Sequence, residues 1–344
     1  MVESSVMQRL REGLLAKRRY LTTWLASAPG VMQETRVGPA GLRAVEAHIH
    51  VLDSTLQKAE AGTLGLCRIC HEPVEAGRLE LDYTTSVCLD HFTEQEKRGL
   101  ESELELSQVV QRALLPQSVP AIPGLEMAAF SRPAQLLGGD YFDFYRYRDG
   151  AFGLAIADVA GHGVSAGLLM ASVQTALRAV VPESSSPGVA LERVNRLFGH
   201  NIYFTTFVTL FLGRYEPEQR RLSYANAGHN PPLLRNGHRD GKNGVLWLEP
   251  TAPAIGLVEE ASVCVESVGL ARGDTILLYT DGVTEATDPQ GEQFGQGRLA
   301  AFVSERADMP AKELVRGLWQ ELQRFADNRP LADDTTIVAG VLTA

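Results

Sequence analysis

Four cysteines in 344 residues are too few for a disulfide framework, and three of them fall between Cys67 and Cys88, which points to metal rather than bridges. No apolar run approaches the roughly 18 residues needed to span a bilayer, and the N-terminus lacks the charged, apolar, small order of a signal peptide. The expectation is a cytoplasmic protein with no membrane contact. Positive charge is also short: 32 Lys and Arg against 42 Asp and Glu leave a formal charge of -10, which argues against broad nucleic-acid binding. There is no Gly-x-Ser-x-Gly elbow, no phosphoacceptor receiver pattern, and no internal repeat of about 20 to 50 residues. Those absences set aside serine-hydrolase chemistry, a two-component output and a solenoid.

What the chain does have is carboxylates placed at strand ends. Phe152 to Gly163 reads as a buried strand ending on Asp158 and followed by a glycine-punctuated turn. Asp274 to Asp281 repeats the device, with alternation and β-branching up to a second acid. Asp333 and Asp334 stand immediately before the strand Thr335 to Leu342, and Asp140 follows Gly138-Gly139. Four carboxylates so placed suggest a hard-cation site, because several carboxylate oxygens are what Mg²⁺ or Mn²⁺ prefers.

The N-terminal third is organised differently. Val6, Leu10, Leu14, Leu21 and Leu25 line one face of a helix over 3–27, stopped by Pro29-Gly30. Leu42, Val45, Ile49, Leu52, Leu56 and Ala59 form a heptad seam over 39–61. The two predict an antiparallel helical hairpin over 1–62. A module at 63–92 follows, with Cys67-Arg68-Ile69-Cys70 and Cys88-Leu89-Asp90-His91. Two ligand pairs at this spacing can close a tetrahedral Zn²⁺ site on Cys67, Cys70, Cys88 and His91, structural because no position is left open. His71 is the other candidate for the fourth ligand, with poorer geometry beside Cys70.

A charged helix over 93–115 puts Leu100, Leu104, Ser107, Gln111 and Leu114 near one face and ends at Pro116. Such a thin apolar stripe suits a partner, including a second copy in a homodimer. The linker spans 93–117, and Pro116 to Pro123 marks the domain boundary. From 118 to 344 the pattern predicts strands near 125–130, 151–157, 206–213, 221–226, 245–248, 262–268, 275–280 and 335–342. Helices are expected at 164–181, 187–198 and 311–326. Strands with helices inserted in blocks give an α+β class, a two-sheet sandwich flanked by helices.

Two resemblances sharpen this. Residues 1 to 95 resemble the zinc-finger family of DksA and TraR, on Gly65-Leu66-Cys67, Arg78-Leu79 and Cys88, with His91 where that family carries a fourth cysteine. Members act on RNA polymerase through acidic residues at the hairpin tip; the tip here, Ser27 to Pro39, offers Glu34 and no aspartate. The module therefore reads as a sensor or docking unit.

Residues 108 to 344 resemble the SpoIIE/RsbU branch of the PPM (PP2C-like) serine/threonine phosphatases. The resemblance rests on Pro133-Ala134, Gly138 to Phe144, Asp158 to Gly163, Ala227 to Pro232, Thr280 to Glu285 and Asp333 to Thr336, in order. It implies a PP2C-like sandwich in which two Mn²⁺ or Mg²⁺ ions activate a bridging water for in-line attack on phosphoserine or phosphothreonine. It also implies Asp140, Asp158, Asp281 and Asp333 as the acids, with the Val159 carbonyl completing the shell. Asp334 is the alternative to Asp333, and Asp143 could serve through water. The register of His162 differs from that of a general acid, and His229 reads as a turn residue.

The activity implied is hydrolysis of a phosphorylated protein, of the STAS-domain anti-anti-sigma class, gated by the zinc module. The competing reading is a transcription-associated adaptor that binds RNA polymerase through finger and hairpin.

Overall fold

The computed structural model describes residues 7, 10, 11, 13–15, 18, 19, 21, 22, 46–75, 78, 79, 83–161, 163–199, 207–236, 244–258, 261–306 and 309–343. The chain divides into two compact units, Met1–Leu104 with Tyr203–Thr205, and Glu105–Ile202 with Thr206–Ala344. The division falls inside helix α1 (Glu94–Leu114).

In the first unit, helical residues between 7 and 22 and a helix over 46–60 share a core of Leu14, Leu21, Leu52, Leu56 and Leu64, with Ile49 and Ala59 packed against it. All but Leu64 are face or seam positions read from the sequence. Leu42, Val45 and the tip Ser27 to Pro39 lie outside the described residues. Arg18 pairs with Asp53 between the helical stretches. Helix α1 opens with a capping box: the Glu96 amide donates to Thr93 Oγ1 at 3.2 Å, and the Thr93 amide donates to Glu96 Oε2 at 2.8 Å.

Among the described residues, the second unit holds ten strands: β1 (Leu125–Arg132), β2 (Tyr141–Arg146), β3 (Phe152–Val159), β4 (Val208–Glu216), β5 (Arg221–Ala227), β6 (Leu233–Arg235), β7 (Val245–Trp247), β8 (Glu266–Gly269), β9 (Thr275–Tyr279) and β10 (Thr335–Leu342). They form two five-stranded sheets, in the orders β1-β10-β9-β6-β7 and β2-β3-β4-β5-β8, with antiparallel pairing throughout. The expected strands form, and two more join them. β2 was hidden because Gly138 to Phe144 reads as a motif, and β6 is too short to show a period.

The alternation of each strand builds three apolar layers. Phe142, Leu154, Ile156, Phe211, Leu278 and Val338 point between the sheets. Tyr141, Ala155, Ala157 and Leu210 face outward, against α2 (Gly163–Val180) and α3 (Pro187–Gly199). Leu277, Tyr279, Ile337 and Ala339 face α5 (Gly295–Ser304) and α6 (Ala311–Phe325). Central strands are thus buried on both faces, which is why β10 reads as an unbroken apolar run. Helix α6 buries Ala311, Leu314, Val315, Leu318 and Leu322, a helical stripe. The result is the expected α+β sandwich flanked by helices.

One expectation needs correction. The stretch Gly163–Glu183, with a mean hydropathy of 1.5, is long and apolar enough by length and composition to cross a membrane. In the fold it is a core helix, with Met170, Val173 and Leu177 buried in the outer layer of the second sheet.

Candidate active site

Successive side chains of a strand point to opposite faces, so the acids can be assigned before any contact is measured. Asp140 keeps step with Phe142, Asp158 with Leu154 and Ile156, Thr280 with Ile276 and Leu278, and Asp334 with Thr336 and Val338. All four continue the inter-sheet face, and all four stand at one end of the sandwich, because β2 and β10 begin where β3 and β9 finish. Contacts bear this out. Thr280 Oγ1 donates to Asp140 Oδ2 at 2.7 Å and accepts the Thr336 amide at 2.9 Å, joining the two sheets at their rim.

Asp334 is the anchor of this end. Its Oδ1 accepts the Ala134 amide at 2.8 Å and its Oδ2 the Gly139 amide at 2.6 Å. Both oxygens are thereby committed to holding the loop 134–139. Asp333 is exposed, and its Oδ1 accepts the Asp334 amide at 2.8 Å. The neighbouring acids so divide into a loop anchor and a solvent-facing carboxylate.

Asp140 is 6% exposed, and its Oδ1 has no hydrogen-bond partner among the described residues. Burial, then the charge of Asp158, pushes its carboxyl well above the usual range. Burial and the charges of Asp281 and Asp333 push Asp158 up to about 7. Asp281 opens the one-turn helix α4 (Asp281–Thr284), and burial with Asp333 and Glu285 raises it to about 6. Carboxylates crowded together in this way cannot all ionise cheaply unless a proton or a cation lies among them.

Three glycines shape the space. A Cβ on Gly139 would lie 2.8 Å from the Val159 carbonyl, one on Gly138 2.5 Å from Asp334 Oδ2, and one on Gly282 2.0 Å from the Asp334 carbonyl. At Gly139 and Gly282 the neighbour is backbone, an approach that only glycine allows, and at Gly138 it is the Asp334 carboxylate. An all-oxygen donor set with a buried orphan carboxylate oxygen fits a hard divalent cation.

Asp143 is turned the other way. Sharing the face of Tyr141 and Tyr145, it accepts Tyr141 Oη–H at 2.6 Å and Arg178 Nε–H at 2.8 Å, so its carboxylate braces β2 against α2. His162 lies outside the described residues. His229 is 1% exposed, and burial pushes it down to about 4, so it is neutral near pH 7. Its Nδ1 lies 2.8 Å from Oγ1 of Thr209, the register partner of Asp158. The Asn226 side chain pins both its amide and its carbonyl. The spacing Asn226-x-x-His229 was the available signal. Thr280 and Gln111 were also unforeseen. Gln111 donates to the Gly138 carbonyl at 2.7 Å and accepts the Gly138 amide at 3.1 Å.

In the first unit, the ligand atoms of Cys67, Cys70, Cys88 and His91 all lie within 4.8 Å of one another. Cys70 Sγ and Cys88 Sγ are 3.7 Å apart, against about 3.8 Å for the edge of a tetrahedron with Zn–S bonds of about 2.3 Å. The Ile69 amide donates to Cys67 Sγ at 3.5 Å. His71 takes a positive φ of 58° and its amide returns to the Cys67 carbonyl. It turns the chain after Cys70, and the fourth ligand atom of the cluster is supplied by His91.

Phosphoserine phosphatase RsbU of Bacillus subtilis is 29% identical over 242 residues, 70% of each chain. A structure of the RsbU and RsbW domains of a Mycobacterium tuberculosis protein is 30% identical with a TM-score of 0.56, covering 67% of this chain and 63% of that one. The SiaA-PP2C domain of Pseudomonas aeruginosa superposes with a TM-score of 0.64 at 23% identity, covering 72% of this chain and 99% of that one, and this likeness shows a PP2C-like fold. A family model described as Stage II sporulation protein E (SpoIIE) matches residues 148–340, a span holding Asp158, Asp281 and Asp333. That match extends over more than half of the sequence, and the chain belongs to the SpoIIE family.

Proposed function

We propose that the chain is a metal-dependent protein serine/threonine phosphatase whose site is held by Asp140, Asp158, Asp281, Asp333 and the Val159 carbonyl. The observation that carries this reading is the buried, unpartnered Oδ1 of Asp140 beside acids that raise one another. Carboxylate and carbonyl oxygens of this kind would hold two Mn²⁺ or Mg²⁺ ions, hard cations that take oxygen ligands. When bound, such ions neutralise a phosphomonoester dianion and lower the pKa of an attacking water. The chain's own work is positional. Thr280 fixes the Asp140 carboxylate, Asp334 holds the glycine loop, and Gly139 lets the Val159 carbonyl face the site. No cysteine lies in the motifs, so the reaction runs without a covalent intermediate on sulfur.

Likeness to a phosphoserine phosphatase supports a phosphorylated regulatory protein as substrate, with a STAS-domain anti-anti-sigma factor as the class. Cys67, Cys70, Cys88 and His91 take one structural Zn²⁺, in a module of the DksA/TraR type that senses or docks and acts in the cytoplasm. Domains run 1–62, 63–92, 93–117 and 118–344. Helix α1 carries the signal: Gln111 grips Gly138, two residues before Asp140. The stripe expected to meet a partner, Leu100, Leu104, Ser107, Gln111 and Leu114, includes Gln111, which bonds Gly138 instead; exposed Leu106, Val109 and Val110 are the residues left for a homodimer seam, which light scattering would test. Intact acids at every position favour the enzyme over the adaptor reading.

The test is Mn²⁺-dependent phosphate release from a phosphorylated STAS protein by the full chain and by Asp158→Asn. Turnover that needs Mn²⁺ and vanishes in the variant, with its melting unchanged, is the expected result. Full activity in the variant would refute the assignment of Asp158.

A further inference from the structure

Two arginines stand beside the acid cluster and take no part in it. Strand β1 ends on Arg132, whose register partner is Thr335, two positions beyond Asp333. Its guanidinium lies 5.5 Å from the ring centroid of Trp319, and that indole packs on Phe130 at 4.7 Å. Across a recess of about 170 Å³ lies Arg329, with Asp333 and Asn328 also in the lining.

The turn that carries Arg329 is well fixed. The amides of Ala326, Asp327, Asn328 and Arg329 return to the carbonyls of Leu322, Arg324, Gln323 and Ala326 at 2.7 to 3.1 Å. Asp327 and Asn328 both take positive φ, 54° and 59°. Neither Arg132 nor Arg329 has an ion-pair partner among the described residues. In a chain of charge -10, two unspent guanidinium groups at one recess call for an anion. A guanidinium resting on an aromatic face keeps its N–H edge free for bidentate contact with a carboxylate. The one acid of the recess, Asp333, belongs to the site proposed to hold the cations.

We propose that this recess is a substrate-docking subsite for an acidic side chain, aspartate or glutamate, lying a few residues from the phosphorylated residue of the protein substrate. The inference rests on the phosphatase reading above. Its volume is that of a few waters, at about 30 Å³ each, enough for one carboxylate side chain and far below a small-molecule pocket. Arg132 and Arg329 are the specificity determinants, and they act on substrate binding rather than on the reacting atoms.

The experiment uses the full chain with Mn²⁺ and three substrates: p-nitrophenyl phosphate, a phosphoserine peptide with flanking glutamates, and the same peptide with flanking glutamines. Wild type, Arg132→Ala, Arg329→Ala, the double variant and Arg132→Lys are compared, with thermal melting as the check on folding. We expect wild type to prefer the glutamate peptide and the double variant to lose about tenfold in kcat/KM on it, mostly through KM, as removal of charge-assisted hydrogen bonds predicts. Turnover of p-nitrophenyl phosphate and the glutamine peptide should stay unchanged, and Arg132→Lys should recover part of the loss. A wild type indifferent to the flanking charge overturns the docking subsite. So does an equal loss on all three substrates, which would place the arginines on the phosphoryl group itself. Silence of the wild type on all three substrates overturns the phosphatase reading and this inference with it.

Discussion

Thr280 and Asp140 are joined across the two sheets by a 2.7 Å hydrogen bond, with the threonine hydroxyl as donor. The same hydroxyl accepts the Thr336 amide, so one side chain orients a buried carboxylate and ties the end of β9 to the start of β10. Thr280→Val keeps the shape and removes both bonds. A buried amide and a carboxylate oxygen are left unpaired, at a cost of about 1–3 kcal/mol each. The variant should fold with a lower Tm and require roughly tenfold more Mn²⁺ for half-maximal binding. Calorimetric titration of Mn²⁺ checks this; unchanged affinity would reduce Thr280 to a structural link.

The raised acids make cation binding depend on pH. Asp158 and Asp281 lie at about 7 and about 6 in the folded, cation-free chain, above the unfolded value of about 3.9. Their contribution to folding is therefore fully present below about pH 4 and is lost as pH rises through their folded values. A cation displaces those protons, so its apparent affinity rises with pH over the same window. The increment in Tm given by a fixed Mn²⁺ concentration should be small near pH 5 and larger near pH 8. Equal increments at both pH values would mean that these carboxylates are ionised throughout.

Gly139 is tested by adding one methyl group. A Cβ there would lie 2.8 Å from the Val159 carbonyl, inside any contact that carbon and oxygen tolerate, so the loop or the strand end must move. Gly139→Ala should displace the Val159 carbonyl and lower Mn²⁺ affinity by about tenfold or more, while the sandwich core, remote from this rim, stays folded. Circular dichroism and Mn²⁺ titration together separate this outcome from simple unfolding. A variant with native affinity would remove the Val159 carbonyl from the site.

Much of this was legible in the sequence because period-two alternation and strand-end acids are local signals. The strand Thr335 to Leu342 and the positions of Asp140, Asp158 and Asp281 follow from them. The anchoring role of Asp334 was not legible, since the Ala134 and Gly139 amides that hold it lie 200 and 195 residues away in sequence. Asp143, for which the resemblance implied a role through water, stands at an odd offset from Asp140 along the strand, which puts its side chain on the other face, against Tyr141 and Arg178. The bond between Gln111 and Gly138 likewise joins a helix and a loop that no spacing rule connects.

The finger should depend wholly on its metal. Its apolar core is Cys67, Val74, Leu79 and Cys88 with Val87 against it, far too little to offset the conformational entropy of a module of this size. What remains is a network that places ligands: the Leu89 amide donates to Glu75 Oε1 at 2.8 Å, and Arg78 reaches the Val87 carbonyl at 2.8 Å. Both contacts draw the Cys88 segment toward the Cys67 knuckle. The purified chain should carry one Zn²⁺ by elemental analysis, and Cys88→Ala should carry none. Stripping with a strong chelator should abolish hydrogen-exchange protection across 64–92 and leave β3 and β10 protected, because their core is separate. Loss of protection in β3 as well would show that the metal stabilises the sandwich. Full protection of the finger without zinc would show that the four ligands pack as ordinary side chains.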